Sequence, residues 1–431
     1  MKTVEQLIEK WDSVLNAPGL DKITDANRLR TTAVLLENTD NDIREQRGQL
    51  NEAAPTTQTQ GYPTDGTGLS KFDPVLISMV RRSAPKLIGY DIMGVQPLRA
   101  PTGLVFALRS RYGSQAGSEA LFNEVNTGFS GTGTHAGSDP TADFVDQDAG
   151  TAGNQFGTYT TGTGMTTAAA EQLGSGVGGT DFGEMSFTVE QMMVSAKARA
   201  LKTGYTHEFA QDLQKMHGLD ADVELSSILS TALLADVNRE ALRTCYSAAK
   251  VGAQEATVPG VFNCLTDSDG RWLAERHKGL LFQIEREANK IAQETLQGKG
   301  NILVCSADVA SALSMAGVLD YAPALQSNLN VNPAGATFAG VLKNGGMKVY
   351  VDPYTGNSQF FMVGYKGESA WDAGMFYCPY VPLQMVRGTN HNTMTPVMAY
   401  RMRYAFARHP FYSAAGRTNA YYRIAAVKSI L

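Results

Sequence analysis

The stretch DADVELSSILSTALLADVNREALRTCYSAAK, residues 220–250, decides how the rest of the chain is read. Asp220 is a side-chain acceptor placed to cap a helix, and Asp222 and Glu224 put negative charge in the first turn, at the positive end of the helix dipole. Leu225, Ile228, Leu229, Ala232, Leu233 and Val237 recur at helical spacing and form one apolar face. A helix from Asp220 to about Lys250 spans roughly 45 Å at 1.5 Å per residue. A rod of that length serves as the spine of a domain.

Upstream, PTGLVFALRSRYG (residues 101–113) opens with turn residues and then alternates Leu104, Phe106 and Leu108 with Val105, Ala107, Arg109 and Arg111. That is the period of a strand, with one apolar face and one face ending in two arginines. MSFTVEQMMVSAKARALK (185–202) has strand character at its start, so the two are expected to pair as a long hairpin. From Tyr112 to Ala196 there is no Lys or Arg, and Gly and Thr are dense. Such a tract buries little apolar surface to offset its ordering entropy, which predicts a loosely structured, solvent-facing lobe over residues 113–183. Its acidic residues, among them Glu119, Glu124, Asp143, Asp146 and Asp148, disfavour contact with phosphate.

Downstream, RWLAERHKGLLFQIEREANKIAQETL (271–296) carries Leu273, Leu280, Ile284, Ala288 and Ile291 on one side of a second helix. A third begins with Ser306 as cap and Asp308 in its first turn. Short strands are expected at Lys348–Val351, Phe360–Gly364 and Met375–Tyr377. TPVMAYRMRYAFARHPF (395–411) and AYYRIAAVKSIL (420–431) alternate apolar with basic residues and read as strands returning to the spine. The fold class is α+β, with the first and last parts of the chain sharing a domain.

Residues 1–52 read as a detachable helical segment, with Val4, Ile8, Trp11 and Leu15 in one stripe that either meets a partner helix or packs on its own domain. AAPTTQTQGYPTDGTG (53–68) has the composition of an extended arm. A short helix ending before Pro85 and then an extended stretch follow, because proline lacks a donor and restricts its neighbour.

The chain's 431 residues exceed what one core usually serves, so two or more linked domains are expected. A net charge of −5 argues against a dedicated nucleic-acid binder. Cys245, Cys264, Cys305 and Cys378 form no CxxC pair, which supports neither a zinc site nor a disulfide framework. The N-terminus lacks the apolar core of a secretory signal, and no run of about 18 apolar residues occurs. His207-Glu208 opens an HExxH pattern, but Gln211 stands where the second histidine is needed. GTGTHAGSDP (131–140), GSGVGG (174–179) and QGKGN (297–301) match neither dinucleotide-binding nor P-loop spacing. No cofactor, metal or catalytic residue is expected.

Six segments resemble the major capsid proteins of T-even-like tailed phages, in the family's order. They are SMVRRSAPKLIGYDIMGVQPLRAPTGLVFALRSRYG (78–113), FAQDLQKMHGLDADVELSSILS (209–230), FQIEREANKIA (282–292), FAGVLKNGGMKVYVDPY (338–354), FMVGYKGESAWDAGMFYCPYVPLQMVRG (361–388) and YRMRYAFARHPF (400–411). The resemblance implies a Hong Kong 97-type capsid fold. Its parts would be a propeptide (1–52), an N-terminal arm (53–84), an E-loop hairpin with the start of a peripheral domain (85–202), and that domain with its spine (203–269). An axial domain (270–379) and a return to the peripheral domain (380–431) would complete it. T-even proteins carry a folded insertion on the hairpin, whereas the tract here is Gly/Thr-rich and shorter.

The resemblance further implies hexamers tiling a closed virion shell around double-stranded DNA, assembled in the bacterial host cytoplasm with no membrane. Expected partners are a vertex capsid protein, a scaffolding core, a prohead protease, a portal and decoration proteins. The protease of such phages cuts after a hydrophobic-x-Glu triplet. Leu50-Asn51-Glu52 fits at the helix-to-arm boundary, with cleavage between Glu52 and Ala53. Leu7–Glu9, Leu35–Glu37 and Ile43–Glu45 offer further triplets for stepwise trimming, while Leu273–Glu275 sits in a predicted helix that should protect it. Arg99, Arg109 and Arg111 are candidates for pairing with acidic groups of an adjacent subunit, or for a solvated face. A cellular nanocompartment shell and an enzyme with an unrecognised site are the alternatives.

Overall fold

A computed structural model of the chain describes residues 4–15, 23, 25–52, 87–121, 124–136, 160–174, 181–268, 272–317, 319–321, 337–342, 346–356, 358–390, 393, 395–412 and 416–430. The expected arm, residues 53–84, lies outside the described residues. In chain order the elements are α1 (Val4–Leu15), α2 (Ala26–Glu52), α3 (Gly89–Ile92), β1 (Gly94–Val95), β2 (Thr102–Tyr112), β3 (Glu119–Ala120), α4 (Thr167–Glu171), β4 (Met185–Ser195), β5 (Lys197–Gly204), α5 (His207–His217) and α6 (Ala221–Ala248). Then come β6 (Ala249–Val251), β7 (Val261–Asn263), α7 (Leu273–Thr295), β8 (Ile302–Ser306), α8 (Ala307–Met315), β9 (Leu319–Tyr321), β10 (Thr337–Leu342), β11 (Lys348–Asp352), β12 (Phe360–Gly364), β13 (Met375–Thr389), β14 (Pro396–Arg408) and β15 (Asn419–Lys428).

The spine is α6. Asp220 caps it, its carboxylate accepting from the Asp222 backbone at 3.0 Å. The helix ends at Ala248 rather than Lys250, because Ala249 turns extended and pairs with Asn419 of β15 while Lys250 pairs with Arg423. Leu229, Leu233 and Val237 are buried as the periodicity predicts, whereas Ile228 is exposed.

α6 packs on one face of a mixed eight-stranded sheet ordered β6-β15-β12-β8-β11-β10-β9, with β7 also on β15. Strand alternation divides the core in two. Ile302, Val304, Tyr350, Met362 and Tyr422 join Leu234, Val237, Ala241 and Cys245 of α6. Leu303, Cys305, Val349, Val351, Phe361 and Val363 join Leu280, Ile284, Ala288 and Ile291 of α7 and Val309 and Leu313 of α8. Ile302–Cys305 of β8 and the start of β12 are apolar because both their faces are covered.

A second sheet runs β1-β13-β14-β5. The strand expected over Met375–Tyr377 extends to Thr389, passing Pro379 and Pro382 by register shifts at Pro379/Val381 and Val381/Gln384 that accommodate the missing donors. Both closing strands meet the spine, β14 through directed bonds. The Tyr400 and Ser226 hydroxyls lie 2.6 Å apart, and Tyr404 donates to Glu240 of α6 at 2.5 Å. β15 pairs with β12 in the eight-stranded sheet, where Tyr422 packs with Leu234 and Val237 of α6, so both closing strands reach the spine, each in its own sheet.

Chain packing separates two compact units, residues 1–104 with 193–431, and residues 105–192. In the second, β2 lies between β3 and β4, as the hairpin reading predicts for the start of 185–202. The later part of that stretch, β5, pairs with β14. The described part of the Gly/Thr tract is more tied together than composition suggests. Thr132 bridges Thr163, Ala136 bridges Thr160, and the Thr127 hydroxyl accepts from the Gly162 backbone at 2.8 Å. Gly162 has to be glycine there, since a Cβ would sit 2.5 Å from the Gly128 nitrogen.

Candidate functional site

Chemistry finds little support. His207 and Glu208 lie exposed in the first turn of α5, and no group of three His, Cys, Asp or Glu among the described residues could hold a metal. Among the described residues no helix is long and apolar enough to cross a membrane. The four cysteines are free and buried, and burial pushes the thiols of Cys245, Cys305 and Cys378 up to about 12 and that of Cys264 to about 11.

The informative surface is the hairpin of the second unit. Arg109 pairs with Glu190 at 3.3 Å and Glu119 at 3.6 Å. Arg111 donates from Nε to the Thr188 hydroxyl at 3.1 Å and from Nη1 to the Gly117 carbonyl at 2.8 Å. These contacts put the odd residues of β2 and the even residues of β4 on one polar face. The other face therefore carries Phe106 and Leu108 from β2 and Met185, Phe187 and Val189 from β4. All five are exposed, Phe106 by 64% and Leu108 by 67%. The alternation reading found the apolar face of β2 correctly, but the single chain buries Val105 and Ala107 instead. An ordered apolar ladder left open to water is a mark of association. Phe187 and Val189 were missed as interface candidates, although the alternation in MSFTVEQ carries the same signal.

The candidate arginines are not one cluster. Arg109 and Arg111 are engaged within their own hairpin, while Arg99 is exposed in the segment before β2. Leu50, Asn51 and Glu52 lie in the last described turn of α2, and Ala53 lies outside the described residues.

The N-terminal stripe also has its answer. Leu7, Trp11 and Leu15 of α1 pack with Ala33, Val34 and Leu36 of α2, so the partner helix is within the segment itself. α2 in turn lies against the 94–98 segment and β13. Asn38 donates to the carbonyls of Leu98 (2.7 Å) and Tyr380 (2.9 Å), Asn27 to that of Glu368 (3.0 Å), and the ion pairs Arg28–Asp91 (2.9 Å) and Asp42–Arg401 (2.7 Å) flank them. Beside this contact Lys366 donates to the Tyr90 carbonyl, and burial holds its ammonium below the usual lysine range.

An apolar ladder open to water is a feature of a protein that associates, and the chain's relatives are assembly proteins. Residues 69–427 match the family model Major capsid protein Gp23. The major capsid protein of Serratia phage KSP90 is 41% identical over 363 residues, covering 82% of this chain and 81% of that protein. That of Vibrio phage KVP40 is 35% identical, covering 94% and 93%, and that of Enterobacteria phage T4 is 33% identical, covering 97% and 94%. The chain belongs to the Gp23 major capsid protein family, and is a structural component of a phage virion. The T4 alignment runs over 497 positions, more than the 431 residues present here, so that relative carries stretches this chain lacks. The capsid vertex protein of T4 is a more distant relative, 24% identical over 54% of each chain. Among solved structures, the capsid of the Myoviridae phage XM1 covers 79% of this chain and 92% of its own, at 8% identity and a TM-score of 0.40.

Proposed function

We propose that copies of this chain form hexamers that tile an icosahedral or prolate head shell enclosing packaged double-stranded DNA, with the subunit arranged in the Hong Kong 97 manner. The observation that carries the reading is the open apolar ladder of Phe106, Leu108, Met185, Phe187 and Val189 on a folded hairpin. Burial of each such side chain stabilises an interface by about 1.5–3 kcal/mol before ordering costs, and many modest contacts around a closed lattice combine. Arg99, exposed before β2, is a candidate for pairing with an acidic group of an adjacent subunit, and Arg109 and Arg111 stiffen the hairpin that presents the ladder. Residues 53–84 serve as an arm, the spine α6 anchors a peripheral region, and α7, α8 and their strands supply an axial one.

In this reading a prohead protease cuts between Glu52 and Ala53, removing a segment with ten Asp/Glu and seven Lys/Arg. A vertex capsid protein closes the corners, and scaffolding core, portal and decoration proteins complete the head. Mass spectrometry of the main protein of purified heads tests the cut: an N-terminus at Ala53 supports it, and one at Met1 removes it. Negative-stain microscopy of the purified chain tests the assembly, which requires shells, tubes or hexamers without any substrate.

A further inference from the structure

The N-terminal hairpin is built as a separable ligand of its own subunit. Its apolar core is self-contained, since Leu7, Trp11, Leu15, Ala33, Val34 and Leu36 pack with Ile8, Ile23 and Leu29 and, among the described residues, with none beyond position 52 in that cluster. The buried face of α2 is polar yet already satisfied. The hydroxyls of Thr31, Thr32 and Thr39 donate one turn back to the carbonyls of Asn27, Arg28 and Leu35, so none is stranded when the hairpin leaves. The seat opposite consists of backbone carbonyls of Leu98, Tyr380 and Glu368 with the charged groups of Asp91 and Arg401. A cleft of about 550 Å³ between Val4, Arg30 and Val34 on one side and Val95, Pro97 and Trp371 on the other leaves the contact incompletely packed. Apart from Leu35, which is buried outside that cluster, the join is held by a few directed polar bonds rather than by the broad apolar burial of a permanent domain contact.

We propose that this seat, formed by residues 94–98, 366–371 and the β13–β14 ribbon, is a binding site whose ligand is the cut N-terminal hairpin. Cleavage and release are then two steps, with the fragment remaining bound non-covalently after the chain is severed. The proposal rests on the reading that the segment is removed after Glu52, and adds what holds it there. It also orders the trimming. Leu35 is buried in the docked α2 outside the hairpin's own cluster, so the triplet ending at Glu37 becomes accessible only after release.

The test uses the full chain with a recognition sequence for a site-specific protease inserted between Thr57 and Gln58. The cut is then made by the added enzyme, and the outcome is independent of where the phage protease acts. After cleavage at low salt, size-exclusion chromatography should show the fragment co-eluting with the body. Asn38→Ala should weaken retention about tenfold and Asp42→Asn severalfold, and raised salt should release the fragment. Asp42→Asn touches only the rim of the seat, so it reports even where Asn38→Ala impairs folding. Immediate separation of the fragment from the unsubstituted chain, or retention unchanged by Asp42→Asn and by salt, overturns the proposal.

Discussion

Arg423 of β15 meets Glu287 of α7 at 2.7 Å, with 2% of the arginine side chain and none of the glutamate exposed. The same carboxylate accepts from the Ala253 backbone and from Gln283, each at 2.8 Å, and the guanidinium reaches on to Glu294 at 2.8 Å. The pair fastens the last strand to a helix more than a hundred residues earlier. Removing one partner strands a buried charge, which costs more than the pair itself contributes. Glu287→Ala is expected to lose about 3–5 kcal/mol, read as a lower urea midpoint at unchanged slope. A loss below about 1 kcal/mol contradicts the buried placement.

Glu294 gives this network a pH dependence. Burial alone raises its carboxyl, but the bonds to Lys250 and Arg423 outweigh that and hold it below its ordinary 4.5. A depressed carboxylate stabilises the fold above its unfolded value and loses that contribution as pH falls through the folded one. The melting-temperature gap between the unsubstituted chain and Glu294→Gln should therefore be full at neutral pH and close as the pH is lowered from about 4.5. A gap that stays constant into strong acid refutes the assignment.

Thiol labelling probes the core independently. Cys245, Cys305 and Cys378, with thiols near 12, and Cys264, near 11, are all buried. Iodoacetamide at mildly alkaline pH should modify none of the four in the native chain and all four in denaturant. Rapid native labelling of any one places it wrongly.

Phe106→Glu and Phe187→Glu separate folding from assembly. Both side chains are exposed in the single chain, so stability should move by no more than about 0.5 kcal/mol. A charge facing an apolar partner should abolish particles in sedimentation velocity. Normal particles from either variant would falsify the role given to the ladder.

How far the sequence could be read differs by element. The start of α6 was legible because capping by Asp220 is local chemistry, whereas its end was set by pairing of Ala249 with Asn419, a contact 170 residues away. The β2–β4 pairing followed from alternation, but alternation does not say which face one chain covers, and here Val105 and Ala107 are buried while Phe106 and Leu108 stay exposed. The stripe on α1 was visible, while its partner on α2 was not, since residues 26–52 are largely polar and hide Ala33, Val34 and Leu36 among threonines and asparagines. Asn38 carried no signal at all, because its two acceptors are backbone carbonyls.

Cryo-electron microscopy of the assembled particles tests the central claim most directly. The account predicts a closed lattice in which Phe106, Leu108, Phe187 and Val189 of each copy are buried against a neighbouring subunit. A closed shell in which that face remains open to solvent would contradict it.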